Sequence, residues 1–161
     1  MEALVEAIEG SAINIWVISS AWTWPVLEII HFIGLSLLLG SILIIDLRLA
    51  GFLRQIDISV TQKLLPWSVI GFGMNFVTGV LFFLGDPARY TANIGFRWKM
   101  VLIVVAGLNA VWFAWKINPV IRSWAPNGDT SSLAKAIAFV SLGVWLGVLL
   151  LGRLIPYIGT G

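Results

Sequence analysis

The chain has no cysteine, a single histidine (His31), and only ten Lys and Arg and eight Asp and Glu in 161 residues. The missing cysteines exclude disulfides, iron–sulfur clusters and thiolate zinc sites. With one histidine, metal chemistry is left to His31, to carboxylates and to three methionines. Charged residues make up 11% of the chain, against about 25% in an ordinary soluble domain. That shortage excludes a disordered chain, a nucleic-acid-binding surface and an enzyme with a solvated exterior. The pI is near 9.3, yet the net charge is only +2, too small a bias for a polyanion-binding patch.

What the chain does have is apolar. Hydrophobic residues reach 59% and the mean hydropathy is +0.96. Four apolar segments run over about residues 24–45, 67–84, 100–117 and 136–158, and a helix crossing a bilayer needs about 20 residues. Backbone polar groups in lipid must be satisfied within the segment, so these segments are helices. The connections 46–65, 85–99 and 118–135 are short and polar, the last one punctuated by Pro119, Pro126, Asn127 and Gly128. Short connections make the helices antiparallel neighbours. The expected fold is an all-α integral membrane protein, a four-transmembrane-helix up-and-down bundle.

Residues 1–20 read differently from the membrane domain, 21–161. There is no basic segment of the kind that opens a secretory signal. Glu2, Glu6 and Glu9 share one helical face, and Leu4, Val5, Ile8, Ile15 and Trp16 share the other. The pattern predicts an amphipathic helix lying at the membrane interface. A short fifth span is the alternative, and Glu9, Ser11 and Asn14 argue against it.

Lys and Arg counts in short loops set orientation. The first and third loops, with their helix ends, carry Arg48, Arg54, Lys63, Lys116, Arg122 and Lys135; the opposite side carries Arg89, Arg97, Lys99 and Arg153. The excess places both termini outside, which in a bacterial inner membrane is the periplasm.

Small residues recur at close-packing intervals: Gly71, Asn75 and Gly79; Gly143 and Gly147; Ala106, Ala110 and Ala114. Such stripes let helix backbones approach, within one bundle or between protomers. Polar residues inside the spans are functional candidates because they are expensive there. They are Glu28, His31, Asn75, Asn109 and Arg153. His31 falls roughly 10 Å below the outer end of the first helix, at about 1.5 Å per residue. Glu28, Arg153, Arg97 and Lys99 share that layer, ringed by Trp22, Trp24, Trp98 and Tyr157. Asn75 and Asn109 fall near mid-membrane, where their amides can bond across helices.

Glu28-x-x-His31 has the spacing used in di-iron bundles, but that chemistry needs a second such pair and more acids. Two readings remain. In one, Glu28 pairs with Arg153 and His31 is a structural neighbour. In the other, His31 ligates haem b or copper, and Glu28 fixes the imidazole tautomer from behind. Gly34, one turn deeper, would leave room for a flat macrocycle. Arg97, Lys99 and Arg153 would face haem propionates, and Met74 or Met100 could supply a second ligand. Of nine tryptophans, Trp22, Trp24, Trp67, Trp98 and Trp124 sit at span ends, as interface residues do. Trp112, Trp115 and Trp145 pack in the core or against a flat cofactor.

Trp24 with His31-Phe-Ile-Gly34-Leu-Ser-Leu-Leu-Leu-Gly40, then Asp46-Leu-Arg48-Leu-Ala-Gly51, resembles a family of small uncharacterised bacterial inner-membrane proteins. Phe96-Arg-Trp-Lys99-Met100, Gly107-Leu-Asn109-Ala110 and Gly152-Arg153-Leu-Ile-Pro-Tyr157 fit the same pattern. The likeness covers about residues 20–158 and brings no substrate with it. More distantly, the first-span histidine with spaced glycines is similar to copper-resistance-D-like and haem-bearing four-helix membrane proteins, which implies a metal or haem at His31.

No phosphate-binding loop or nucleophile elbow is present, and nothing in the sequence decides for or against catalysis. The leading expectation is a small redox-type subunit that binds b-type haem or another metal through His31 and exchanges electrons with a quinone or partner protein. The alternatives are a metal-ion or small-solute transporter, and a non-catalytic accessory subunit of a homo-oligomer or larger membrane complex.

Overall fold

A computed structural model describes residues 2–125 and 128–158; Pro126 and Asn127 of the third loop lie outside the described residues. The elements are helices α1 (Glu2–Ile8), α2 (Ala12–Ser19), α3 (Thr23–Ala50), α4 (Ser59–Gly85), α5 (Pro87–Ala92), α6 (Ile94–Trp112) and α7 (Ser132–Leu154). A π-helical turn, Phe113–Ile117, extends α6, and a short 3-10 turn, Ile121–Ser123, follows it. Among the described residues there is no strand. Four helices are long and apolar enough to span a bilayer: α3, α4, α6 with its π turn, and α7.

Local chemistry sets the boundaries. Ser11, Asp86, Asn93 and Ser131 each accept a hydrogen bond from the backbone N–H three residues on, starting α2, α5, α6 and α7. A short polar side chain does this best because its oxygen reaches amides that have no partner inside the helix. Pro87 stands in the first turn of α5, where its missing N–H is not needed. Gly51 ends α3 with φ 94°, a left-handed conformation that glycine adopts without strain. Phe52 N–H then bonds back to the Leu47 carbonyl at 3.0 Å.

Two sequence expectations are corrected. The first connection is far shorter than 46–65, because α3 continues through Asp46 and Arg48, and α4 begins at Ser59. Charge is not a reliable helix end when the charged side chains are buried: Asp46 is 5% exposed and Arg48 is fully buried. The N-terminal segment is also not one helix. Gly10, at φ 76°, divides it into α1 and α2. Asn14 of α2 is buried, and its amide donates to the Leu84 carbonyl of α4 at 2.7 Å.

α3 packs most extensively on α4, α6 on α7, and α3 on α7, so the four spans form the row α4–α3–α7–α6. α4 and α6 meet chiefly through side chains, Phe83 stacking on Phe96 with centroids 5.9 Å apart. The α3–α4 contact is closest at paired glycines: a Cβ on Gly71 would stand 2.5 Å from the Leu38 N and 2.6 Å from the Gly34 carbonyl oxygen. The Gly71 part of the stripe therefore faces a neighbouring helix, while Gly79 and Gly143 meet nothing within 4 Å.

Most of each span is uncovered by protein, only 17–28% of its most apolar window being buried. Side chains such as Phe32, Val69, Val104 and Leu108 are more than 60% exposed, as lipid-facing residues must be when acyl chains complete the packing. The buried apolar cluster lies at the end holding the first and third connections. It is built from Ile45, Leu49, Ile58, Phe113, Ile117, Ile121, Ala134, Ile137 and Ala138. His31 lies toward the other end.

Candidate functional site

α3 carries His31 two turns into the helix, half-buried. Its Nδ1 is 2.7 Å from the Thr78 hydroxyl of α4. That hydroxyl has one hydrogen, and its helix offers two carbonyl acceptors, Met74 at 2.7 Å and Asn75 at 3.3 Å. With the hydroxyl hydrogen engaged there, the Thr78 oxygen is free to accept from His31 Nδ1–H. In that tautomer the ring's lone pair lies on Nε2. A hydrogen bond at one ring nitrogen that fixes the other as the basic one is the usual support of a ligating histidine.

The partner of His31 is thus Thr78 rather than Glu28. Residues three apart share a helix face only coarsely, and Glu28 is exposed while His31 turns toward α4. Nor does Glu28 pair with Arg153: the ion pairs among the described residues are Arg54–Asp129 and Lys135–Asp129, both at the opposite end. The Arg153 guanidinium instead stands over the Tyr157 ring, 5.9 Å from its centroid. Arg97 donates twice to the Thr91 carbonyl, at 3.1 and 2.8 Å, closing the end of α5.

Lys99 behaves differently. It is the charged side chain within electrostatic reach of His31, and it lies along α7 so closely that a Cβ on Gly152 would meet its Nζ at 3.4 Å. It makes no hydrogen bond or ion pair among the described residues. A cation held in a low-dielectric layer without a counter-charge is costly.

Gly34 leaves no room beside His31. A Cβ there would lie 2.6 Å from the Asn75 amide and 2.8 Å from the Met74 Cβ, so α4 fills the space that a macrocycle was expected to use. Asn75 gives its amide to Gly71 of its own helix at 2.9 Å, whereas Asn109 of α6 donates across to the Ile137 carbonyl of α7 at 3.1 Å. Phe82 packs on the His31 ring with centroids 5.5 Å apart, and Trp24 packs on Phe82 at 5.1 Å. Beside Thr78 a cleft of about 360 Å³ opens between α3 and α4, lined otherwise by Leu27, Ile30, Gly73, Met74, Val77 and Leu81.

At the rim, burial pushes the Tyr90 phenol above its ordinary range; Arg89 opposes that shift, and Asp86 and Glu28 add to it. Tyr90 meets Phe96 edge-on at 5.1 Å, and Asn93 donates to the carbonyls of Ile155 and Ile158. These contacts fasten α5 and the start of α6 to the end of α7.

Sequence reasoning missed Thr78, although its signal was present. Gly71, Asn75 and Thr78 lie at i, i+4 and i+7, one helical face, and that face meets α3 at Gly34 and His31. The next small residue, Gly79, had been counted instead. No family model matches the chain, and no curated protein or solved structure does either.

Proposed function

We propose that the chain is a small membrane redox subunit that binds b-type haem through His31 and exchanges electrons with a quinone or partner protein. The carrying observation is the 2.7 Å contact of His31 Nδ1 with the Thr78 hydroxyl; with Nδ1–H donating to that oxygen, Nε2 is the basic nitrogen.

The donor set argues for haem over a bare ion such as copper. Among the described residues no group of three His, Cys, Asp or Glu side chains comes together. A lone imidazole suffices only for a metal that brings its own equatorial ligands, which haem iron does. When bound, the group supplies one-electron chemistry. The chain's own part is to present Nε2, to hold the ring between Thr78 and Phe82, and to offer the Lys99 ammonium to an acidic substituent. α4 fills the space at Gly34, so that space would not hold the macrocycle; the residues that would serve the group are His31 and Lys99. The apolar cleft beside Thr78 suits the hydrocarbon tail of a quinone. In the orientation set by Lys and Arg in the loops, this layer is the periplasmic half of a bacterial inner membrane.

The filled space at Gly34 favours a second reading, an accessory subunit in which His31 only packs. A visible absorption spectrum of detergent-purified protein separates the two. The haem reading predicts a Soret band and α and β bands that sharpen on dithionite reduction. A colourless preparation from haem-replete cells contradicts it and leaves the accessory reading.

A further inference from the structure

Asp46 has no part in the site above. It lies 15 residues along α3 from His31, roughly 22 Å at about 1.5 Å per residue, in the other half of the bundle. Its side chain is buried, and its Oδ2 has no hydrogen-bond partner among the described residues. The Ser141 hydroxyl of α7 is within hydrogen-bonding reach of the carboxyl.

Among the described residues no cation is paired with it. Arg48, two residues on, belongs to another face of the helix and donates to the Ile56 carbonyl at 2.6 Å and the Gly128 carbonyl at 3.3 Å. Arg54 and Lys135 are engaged with Asp129 at the surface. Lys63 acts on Asp57, which is itself hydrogen-bonded by Ser59 N–H. On α6 the Asn109 amide is donated to the Ile137 carbonyl. None of these charges acts on Asp46.

We propose that Asp46 is a membrane-embedded proton-binding site, its carboxyl carrying a proton taken from water at the end of the bundle that holds the first and third connections. An ionised carboxylate here would leave two charged oxygens with one hydroxyl between them, and an unpaired buried charge is far costlier than an unpaired neutral oxygen. In the neutral acid the O–H turns to Ser141 and Oδ2 is an uncharged carbonyl oxygen. One O–H bond forms on the carboxyl as one breaks on hydronium, and the residue passes from −1 to 0. Asp46 is four residues from the end of α3, about 6 Å of helix, a short path to solvent. Intramembrane carboxyls in such positions serve as proton relays. The proposal is independent of any cofactor at His31.

Infrared spectroscopy tests it. Folded wild type at neutral pH, in detergent, should show the C=O stretch of a protonated carboxyl, shifted in D2O. Asp57 and Asp129 are exposed and accept backbone hydrogen bonds, so they should contribute none. Asp46→Asn should remove the band, and Ser141→Ala should move it by deleting the hydroxyl partner. Absence of the band in folded wild type overturns the proposal whatever the variants do. So does a band that survives in Asp46→Asn or is unmoved in Ser141→Ala.

Discussion

The two ends of the bundle are built on opposite plans. At the end of the first and third connections, four helices close over a continuous apolar cluster, and side-chain hydrogen bonds tie the loops to it, although Asp46 Oδ2 has no partner among the described residues. Arg48 ties Ile56 and Gly128 together, and the Thr130 hydroxyl reaches the Leu49 carbonyl at 2.5 Å. Thr61 turns back to Ile58 at 2.6 Å. At the His31 end the fastenings are amides on backbone carbonyls, from Asn14 and Asn93. Between them lie an open cleft, a stack of aromatic rings, a cation without a counter-charge and a histidine with a basic nitrogen to spare. One end ties the connections to the helices, and the other, in the proposed reading, presents His31 and Lys99 to a ligand.

If that division is right, substitutions at the two ends should differ in kind. The largest stability effect is expected at Arg48. Hydrogen bonds from a charged donor are worth about 1.5–3 kcal/mol each, and losing them strands buried carbonyls. Arg48→Met should therefore destabilise the protein by about 3 kcal/mol or more, seen as a large drop in melting temperature in detergent, with little direct effect on His31. A melting temperature close to wild type would mean that Arg48 does not hold the loops.

Lys99 should give the opposite sign. Lys99→Met removes an uncompensated charge while keeping most of the stem's volume, so the ligand-free protein should gain about 1 kcal/mol, or roughly 2–4 °C. The same variant should bind an anionic cofactor more weakly. A loss of thermal stability would show that the ammonium has a structural partner. Gain in stability with loss of binding is the signature of a residue kept for function.

The fold was readable because length and hydropathy suffice to mark four spans. The boundaries were less so. Asp46 and Arg48 look like the start of a loop, and carbonyls such as those of Ile56 and Gly128, eight and eighty residues away, help to make a buried arginine tolerable. The site was half readable. A lone intramembrane histidine announces itself, but its partner was taken from three residues away rather than from Thr78, 47 residues away on another helix. Local spacing gives candidate neighbours within a helix; which helices interlock depends on the Gly34–Gly71 approach, and a hydropathy pattern does not encode that pairing.

The smallest effect should come from pH at the ordered end. Lys135 and the Thr130 amide hold the Asp129 carboxyl below the usual carboxylate range, with Arg54 assisting. A lowered folded value means that the carboxylate's contribution is fully present above the ordinary Asp pKa of about 3.9. It is lost as pH falls through the lowered value. Melting temperature should therefore be insensitive to Asp129 titration between pH 7 and about 5 and fall only in stronger acid. Asp129→Asn should flatten that acid limb. An unchanged limb would show that the exposed Arg54–Asp129–Lys135 cluster is inert.

The division of labour is tested most directly by measuring bound haem per folded chain in wild type and in His31→Ala, with a thermal melt of each. The account predicts haem in wild type and none in His31→Ala. The stabilities of the two apo proteins should differ by no more than about 1 kcal/mol, the worth of one hydrogen bond. Haem retained in full by the variant, or a bundle that collapses without the imidazole, would contradict it.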